Sequence, residues 1–135
     1  MFYDFAITIP AGTAEASPVE QELDLTHGII HRVEVQFPVG CMELAHLRLF
    51  HRRHQVWPTN IDGSFASDGY IIAFDEHYDF FEPPFDLTAI GWNDDETYQH
   101  VITVRIGILP QEIVLPFAGL GGALRRFLKL VGVGK

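Results

Sequence analysis

Three of the seven histidines, His46, His51 and His54, fall within one short stretch, and imidazoles so placed could ligate a metal or move protons. A zinc centre needs three or four ligands converging at about 2 Å. The His-x-His pair with a later Glu and His that would supply such a set in a β-protein does not occur. The histidines are therefore assigned to surface or edge-strand positions, and no metal is expected. Asn60-x-Asp62-Gly63-Ser64, with Asp68 just beyond, has the oxygen character of a calcium loop. It lacks the repeated acids and the bidentate Glu at the end of an EF-hand loop, so a polar loop between strands is the simpler reading.

Nucleophilic chemistry has no better footing. Ser17, Ser64 and Ser67 sit among turn-forming residues without a Gly-x-Ser-x-Gly elbow, and sequence assigns no His and acid to any of them. Gly119-x-Gly121-Gly122 has neither a surrounding βαβ unit nor a following lysine, as a phosphate loop requires. The carboxylates are many, but no spacing singles out an acid and a base. The lone Cys41 follows Phe37-Pro38-Val39-Gly40 and reads as a small buried or turn residue in a protein that does not rely on disulfides. No catalytic residue and no cofactor are expected, and an enzyme is the least supported class.

Aromatic side chains are the remaining resource: Trp57, Trp92, Tyr70, Tyr78, Tyr98 and the Phe80-Phe81 pair. They suit a core or a subunit interface. The alternative is a carbohydrate-binding module whose stacking platform uses Trp57 and Trp92 with the loop acids Asp62 and Asp68. Two acidic stretches, Asp94-Asp95-Glu96 and the run through Asp75, Glu76, Asp79 and Glu82, read as solvated faces able to bind cations or receive a basic arm.

Such an arm is present. All 18 acids precede Ile113, while Arg125, Arg126, Lys129 and Lys135 follow it, so a body of charge −13 ends in a segment of +4. Within it Phe117, Leu120, Leu124, Phe127, Leu128 and Val131 recur at helical spacing on one side, and Arg125, Arg126 and Lys129 lie toward the other. Glycines at 119, 121 and 122 weaken that helix by about 1 kcal/mol each relative to Ala, so it should be most stable when docked. The expected interface is Phe117, Leu120, Leu124, Arg125, Arg126, Phe127, Leu128 and Lys129. A membrane-surface role for the same helix is an alternative. Net charge −9 argues against nucleic acid as the partner, because that binding depends on neutralising phosphates.

The elements that position these groups are strands. Residues 3–9 alternate and end at Pro10-Ala11-Gly12. Residues 19–25 form a short acidic strand suited to a sheet edge. In 29–37, Ile29, Val33, Val35 and Phe37 fall near one face and Ile30, Arg32, Glu34 and Gln36 on the other. Residues 44–50 and 55–57 are extended around a bend at His51-Arg52-Arg53-His54. Residues 59–69 form a turn-rich connection. Strands follow at 70–75, 85–92 and 98–109, with an acidic aromatic stretch at 77–84 and no helical periodicity before 113. The expected fold is all-β, a single-domain antiparallel β-sandwich, jelly-roll-like with about eight strands, over residues 1–110, followed by an amphipathic basic helix or arm over 111–135. The N-terminus has no signal-peptide pattern, so a cytoplasmic or virion location is expected.

An acidic β-sandwich without a catalytic signature but with a terminal arm resembles the small auxiliary proteins of virus particles, the head-decoration or cement proteins of tailed phages. Architecture and composition carry the resemblance, so no site residue transfers from it. It implies a non-enzymatic protein whose partner is itself, in trimers or other symmetric clusters on a larger protein shell, with terminal arms latching neighbours.

Overall fold

The computed structural model describes residues 1–110. The expected arm, with Phe117, Leu120, Leu124, Arg125, Arg126, Phe127, Leu128 and Lys129, lies outside the described residues. Eight strands make up the rest: β1 Phe2–Ile9, β2 Val19–Asp24, β3 Gly28–Phe37, β4 Ala45–His51, β5 His54–Trp57, β6 Tyr70–Phe80, β7 Asp86–Asn93 and β8 His100–Leu109. They form two four-stranded sheets, β1-β8-β3-β6 and β2-β7-β4-β5, in which every pairing is antiparallel. The pairs β1 with β8, β2 with β7, β3 with β6 and β4 with β5 are those of one long hairpin folded over on itself.

The pleat sends alternate side chains to opposite faces, which decides what the sheets bury. β8 turns Ile102, Val104, Ile106 and Ile108 inward, all fully buried, and faces Thr103 and Arg105 outward. Opposite it, β4 buries Leu47 and Leu49 and β7 buries Leu87 and Ala89, so both sheets close on a shared apolar core. The acidic β2 lies at a sheet edge, as its composition predicts, and Cys41 is buried at the β3–β4 turn.

Two expectations need correction. The register of β3 slips between Ile30 and Arg32, where β3 is one residue longer than β8 and one shorter than β6. A bulge moves the side-chain period by one residue. Ile30 therefore joins Val33, Val35 and Phe37 in the core, while Ile29 pairs with the outward Leu109 and Asp79. β6 also runs past Asp75 to Phe80, because its pairing with β3 resumes beyond the slip, with Ile30 opposite Tyr78.

On the outer face of the first sheet, ion pairs cross all four strands: Asp4–Arg105 (3.5 Å), Arg105–Glu34 (3.6 Å), Glu34–Arg32 (3.2 Å) and Arg32–Asp75 (2.9 Å). Asp4 and Glu34 lie directly opposite Arg105 on either side, and Asp75 opposite Arg32. Among the described residues no helix is long and apolar enough to cross a membrane.

Candidate functional site

β5 and β6 are edge strands of different sheets and line the same open side of the sandwich. The inward row of β6 reads Ile72, Phe74, Glu76, Tyr78, Phe80, so a carboxylate interrupts an otherwise apolar and aromatic series. Glu76 is held in place: Oε2 accepts the indole N–H of buried Trp57 at 2.9 Å and Oε1 accepts the His77 backbone N–H at 3.0 Å. Trp57 first, then His77, draws the Glu76 pKa below the ordinary carboxylate value, so the group is ionised at neutral pH. Beside it Trp57, Pro58, Thr59, Phe65, Phe74 and Glu76 line an open recess of about 220 Å³.

A larger cleft of about 440 Å³ lies further along this side, lined by residues that include His51, Arg52, Tyr78, Phe81 and Glu82. His51 has no free nitrogen there. Its Nε2 meets the Pro84 carbonyl at 3.1 Å, which can only accept, so Nε2 carries a proton and Nδ1, 2.8 Å from the Tyr78 hydroxyl, accepts from it in the neutral ring. Burial pushes the Tyr78 pKa up, which keeps that hydroxyl protonated. Both groups are committed to structure, and His54 is exposed across the hairpin.

The outer face of the second sheet carries a different cluster. Trp92 is covered by the His46 ring, nearly parallel at 4.9 Å, and by the Arg48 guanidinium 4.6 Å from its centroid. His46 Nε2 donates to Asp94 Oδ2 at 3.1 Å, because a carboxylate only accepts, and Nδ1 is then the acceptor for the Ser64 hydroxyl at 3.0 Å. Arg48 donates to the Gly63 and Asp62 carbonyls and to Glu15. The result is a Ser–His–Asp chain that fastens residues 58–69 onto β4, reinforced by the paired backbone bonds of Leu47 and Phe65. Sequence could not assign a His or an acid to Ser64, since the three residues lie 18 and 48 positions apart.

At one pole, the β3–β4 turn meets the end of the 58–69 loop. Asp68 accepts the Gly40 N–H at 2.8 Å, Gly69 N donates to the Pro38 carbonyl at 3.2 Å, and Glu43 N donates to the Ser67 carbonyl at 3.3 Å. Zipped together, the two segments hold Val39, Met42, Tyr70 and Ile71 in solvent at 89%, 70%, 63% and 45% exposure. The sequence reading missed this patch because Val39 and Met42 come from the β3–β4 turn and Tyr70 and Ile71 from the start of β6.

The alternative of a carbohydrate platform calls for Trp57 and Trp92 to offer ring surface together. Trp57 faces inward beside Leu49, Trp92 faces outward beside His46, and both are at most 5% exposed, so they share no face on which a sugar could stack. Asp68 is spent on a turn, and Asp62, at a φ of 69°, contributes its carbonyl to Arg48. Glu22, Asp24 and Asp86 bring carboxylate oxygens within 4.8 Å of one another on the sheet surface, a cluster made by the pairing of β2 with β7. No protein-family model matches the chain, and a search of curated proteins found no match.

Proposed function

We propose that the protein is a non-enzymatic structural component that associates with copies of itself, a trimer being favoured, as part of a larger protein shell such as a virus particle. Its strand order is that of a jelly roll, a scaffold that leaves faces, edges and poles free for contacts. The observation that carries the reading is the apolar pole: Val39, Tyr70 and Ile71 line one recess, and Met42 is exposed in the same β3–β4 turn as Val39, beside the hydrogen-bonded end of the 58–69 loop. Contiguous exposed apolar surface marks interaction sites. Phe117, Leu120, Leu124, Phe127 and Leu128 supply a second apolar set, and Arg125, Arg126 and Lys129 match the acidic body.

Sedimentation velocity on the full chain tests this. Association that rises with concentration is expected, reduced at least tenfold by Tyr70→Glu with Ile71→Lys, or by Leu124→Glu with Phe127→Glu. A wild-type chain that stays monomeric at high concentration rules the proposal out.

A second reading rests on Ser64, His46 and Asp94. With Nε2 donating to Asp94, Nδ1 is positioned to take the Ser64 proton, the relation a nucleophilic serine needs. Fluorophosphonate labelling at Ser64 that disappears in His46→Ala would favour a hydrolase. An unlabelled Ser64 leaves the array as a loop clamp.

A further inference from the structure

Glu76 is an anomaly of placement. Inward positions of a sandwich strand are normally apolar, and a charge there is costly unless something compensates it. The Trp57 indole and the His77 amide hold the carboxylate and favour its charged form, with a smaller contribution from the charge of the His77 ring. Among the described residues no Lys, Arg or His forms an ion pair with Glu76, although neighbouring acids are paired, Asp75 with Arg32 and Asp79 with His77.

What surrounds the carboxylate is aromatic. Phe74 lies 6.4 Å from Trp57 and 6.0 Å from Phe65, tilted to each by 54° and 32°, so the three rings form a curved wall around the recess. Phe65 and Phe74 are only partly buried, and no cationic residue lines the space. Its volume of about 220 Å³ is below the roughly 300–1,000 Å³ of a pocket for a drug-sized ligand, which suits a single head group. Ring faces carry negative potential and attract cations, and Phe65 and Phe74 are the rings with surface to offer, since Trp57 is 2% exposed and meets the site through its N–H on Glu76. An ionised carboxylate beside such rings complements a positive group that also offers apolar surface.

We propose that Trp57, Phe65, Phe74 and Glu76 form a binding site for an organic cation, an alkylguanidinium or methylated ammonium head group. A metal ion is the wrong complement, because one carboxylate among aromatic rings offers too few oxygen ligands. The head group can come from a protein side chain or from a free small molecule. The site does not depend on self-association.

The indole N–H resonance of Trp57 reports directly on the Glu76 bond, and Trp92→Phe assigns it. Titration of the full chain with choline and with methylguanidinium should shift that resonance saturably. The neutral isostere of choline, 3,3-dimethylbutan-1-ol, should bind at least about tenfold more weakly, a difference of about 1.4 kcal/mol. Glu76→Gln, which keeps an acceptor for the indole, and Phe74→Leu, which keeps an apolar side chain, should each weaken cation binding by a similar factor. In a full chain carrying Arg125→Gln, Arg126→Gln and Lys129→Gln, tighter choline binding would identify the chain's own basic segment as the occupant, and unchanged binding an external cation. A wild-type resonance unmoved by millimolar choline and methylguanidinium, or moved equally by the neutral isostere, overturns the proposal.

Discussion

Asn93 and Asp95 show how single side chains hold one end of the sandwich. Asn93 is buried at the end of β7, where its amide donates to the Tyr98 carbonyl at 2.9 Å and its oxygen accepts the Asp95 N–H at 2.9 Å. Asp95 accepts the Thr97 N–H at 2.9 Å and pairs with buried His100 at 2.9 Å. The Thr97 amide first, then His100, holds the Asp95 carboxyl below its ordinary pKa, as Trp57 does for Glu76. A carboxyl whose pKa is lower folded than unfolded adds stability above its unfolded value, and that contribution disappears as pH falls through the folded one. Unfolding midpoints in urea should therefore be level above about pH 5 and decline below about pH 4. Asp95→Asn should be less stable at neutral pH and show a shallower acid decline, measured by denaturant titration across pH. An unchanged slope would remove Asp95 from the account.

Strand-level features depend on places where the chain departs from the regular pleat. Gly28 opens β3 at a φ of 152°, and a Cβ there would collide with the Leu109 carbonyl oxygen and lie 2.6 Å from Ile108 Cγ2. Neither obstacle can swing aside easily, since one is backbone and the other a core side chain. Gly28→Ala should cost about 2–4 kcal/mol by thermal or urea unfolding, by strain and overpacking. A cost near zero would mean that the start of β3 can shift away from β8. In the second sheet, Arg52 and Arg53 form the two-residue β4–β5 connection with φ of 53° and 66°. Such a turn normally favours Asn or Gly, which is why sequence suggested only a bend there. Arg52 also donates to Glu82, linking this hairpin to the β6–β7 connection.

Over the whole molecule, charge is segregated along the chain. The acidic body and the +4 segment from Ile113 onward should attract one another, within a chain or between copies. Added salt screens such attraction, with a Debye length of about 8 Å at physiological strength and about 3 Å at 1 M. In the sedimentation experiment, association driven by this segment should weaken as salt is raised. Association through the apolar pole formed by Val39, Met42, Tyr70 and Ile71 should hold or strengthen. The salt response thus separates the two surfaces in one series of measurements.

Strand positions were legible from the sequence because period-two alternation between core and solvent is a local property: the runs at 3–9, 19–25, 55–57 and 98–109 overlap observed strands. The acidic edge strand β2 was legible for the same reason, and so was the burial of Cys41. Tertiary structure alone decided the rest. The slip in β3 depends on both neighbouring strands, so Ile30 enters the core against the face its own sequence predicts, while Ile29 stays buried beside Leu109 and Asp79. Glu76 reads as part of an acidic run until β5 sets Trp57 beside it, and Ser64, His46 and Asp94 meet because the 58–69 loop returns along β4. Side chains far apart in the chain become neighbours through strand pairing, and no periodicity along the chain records that.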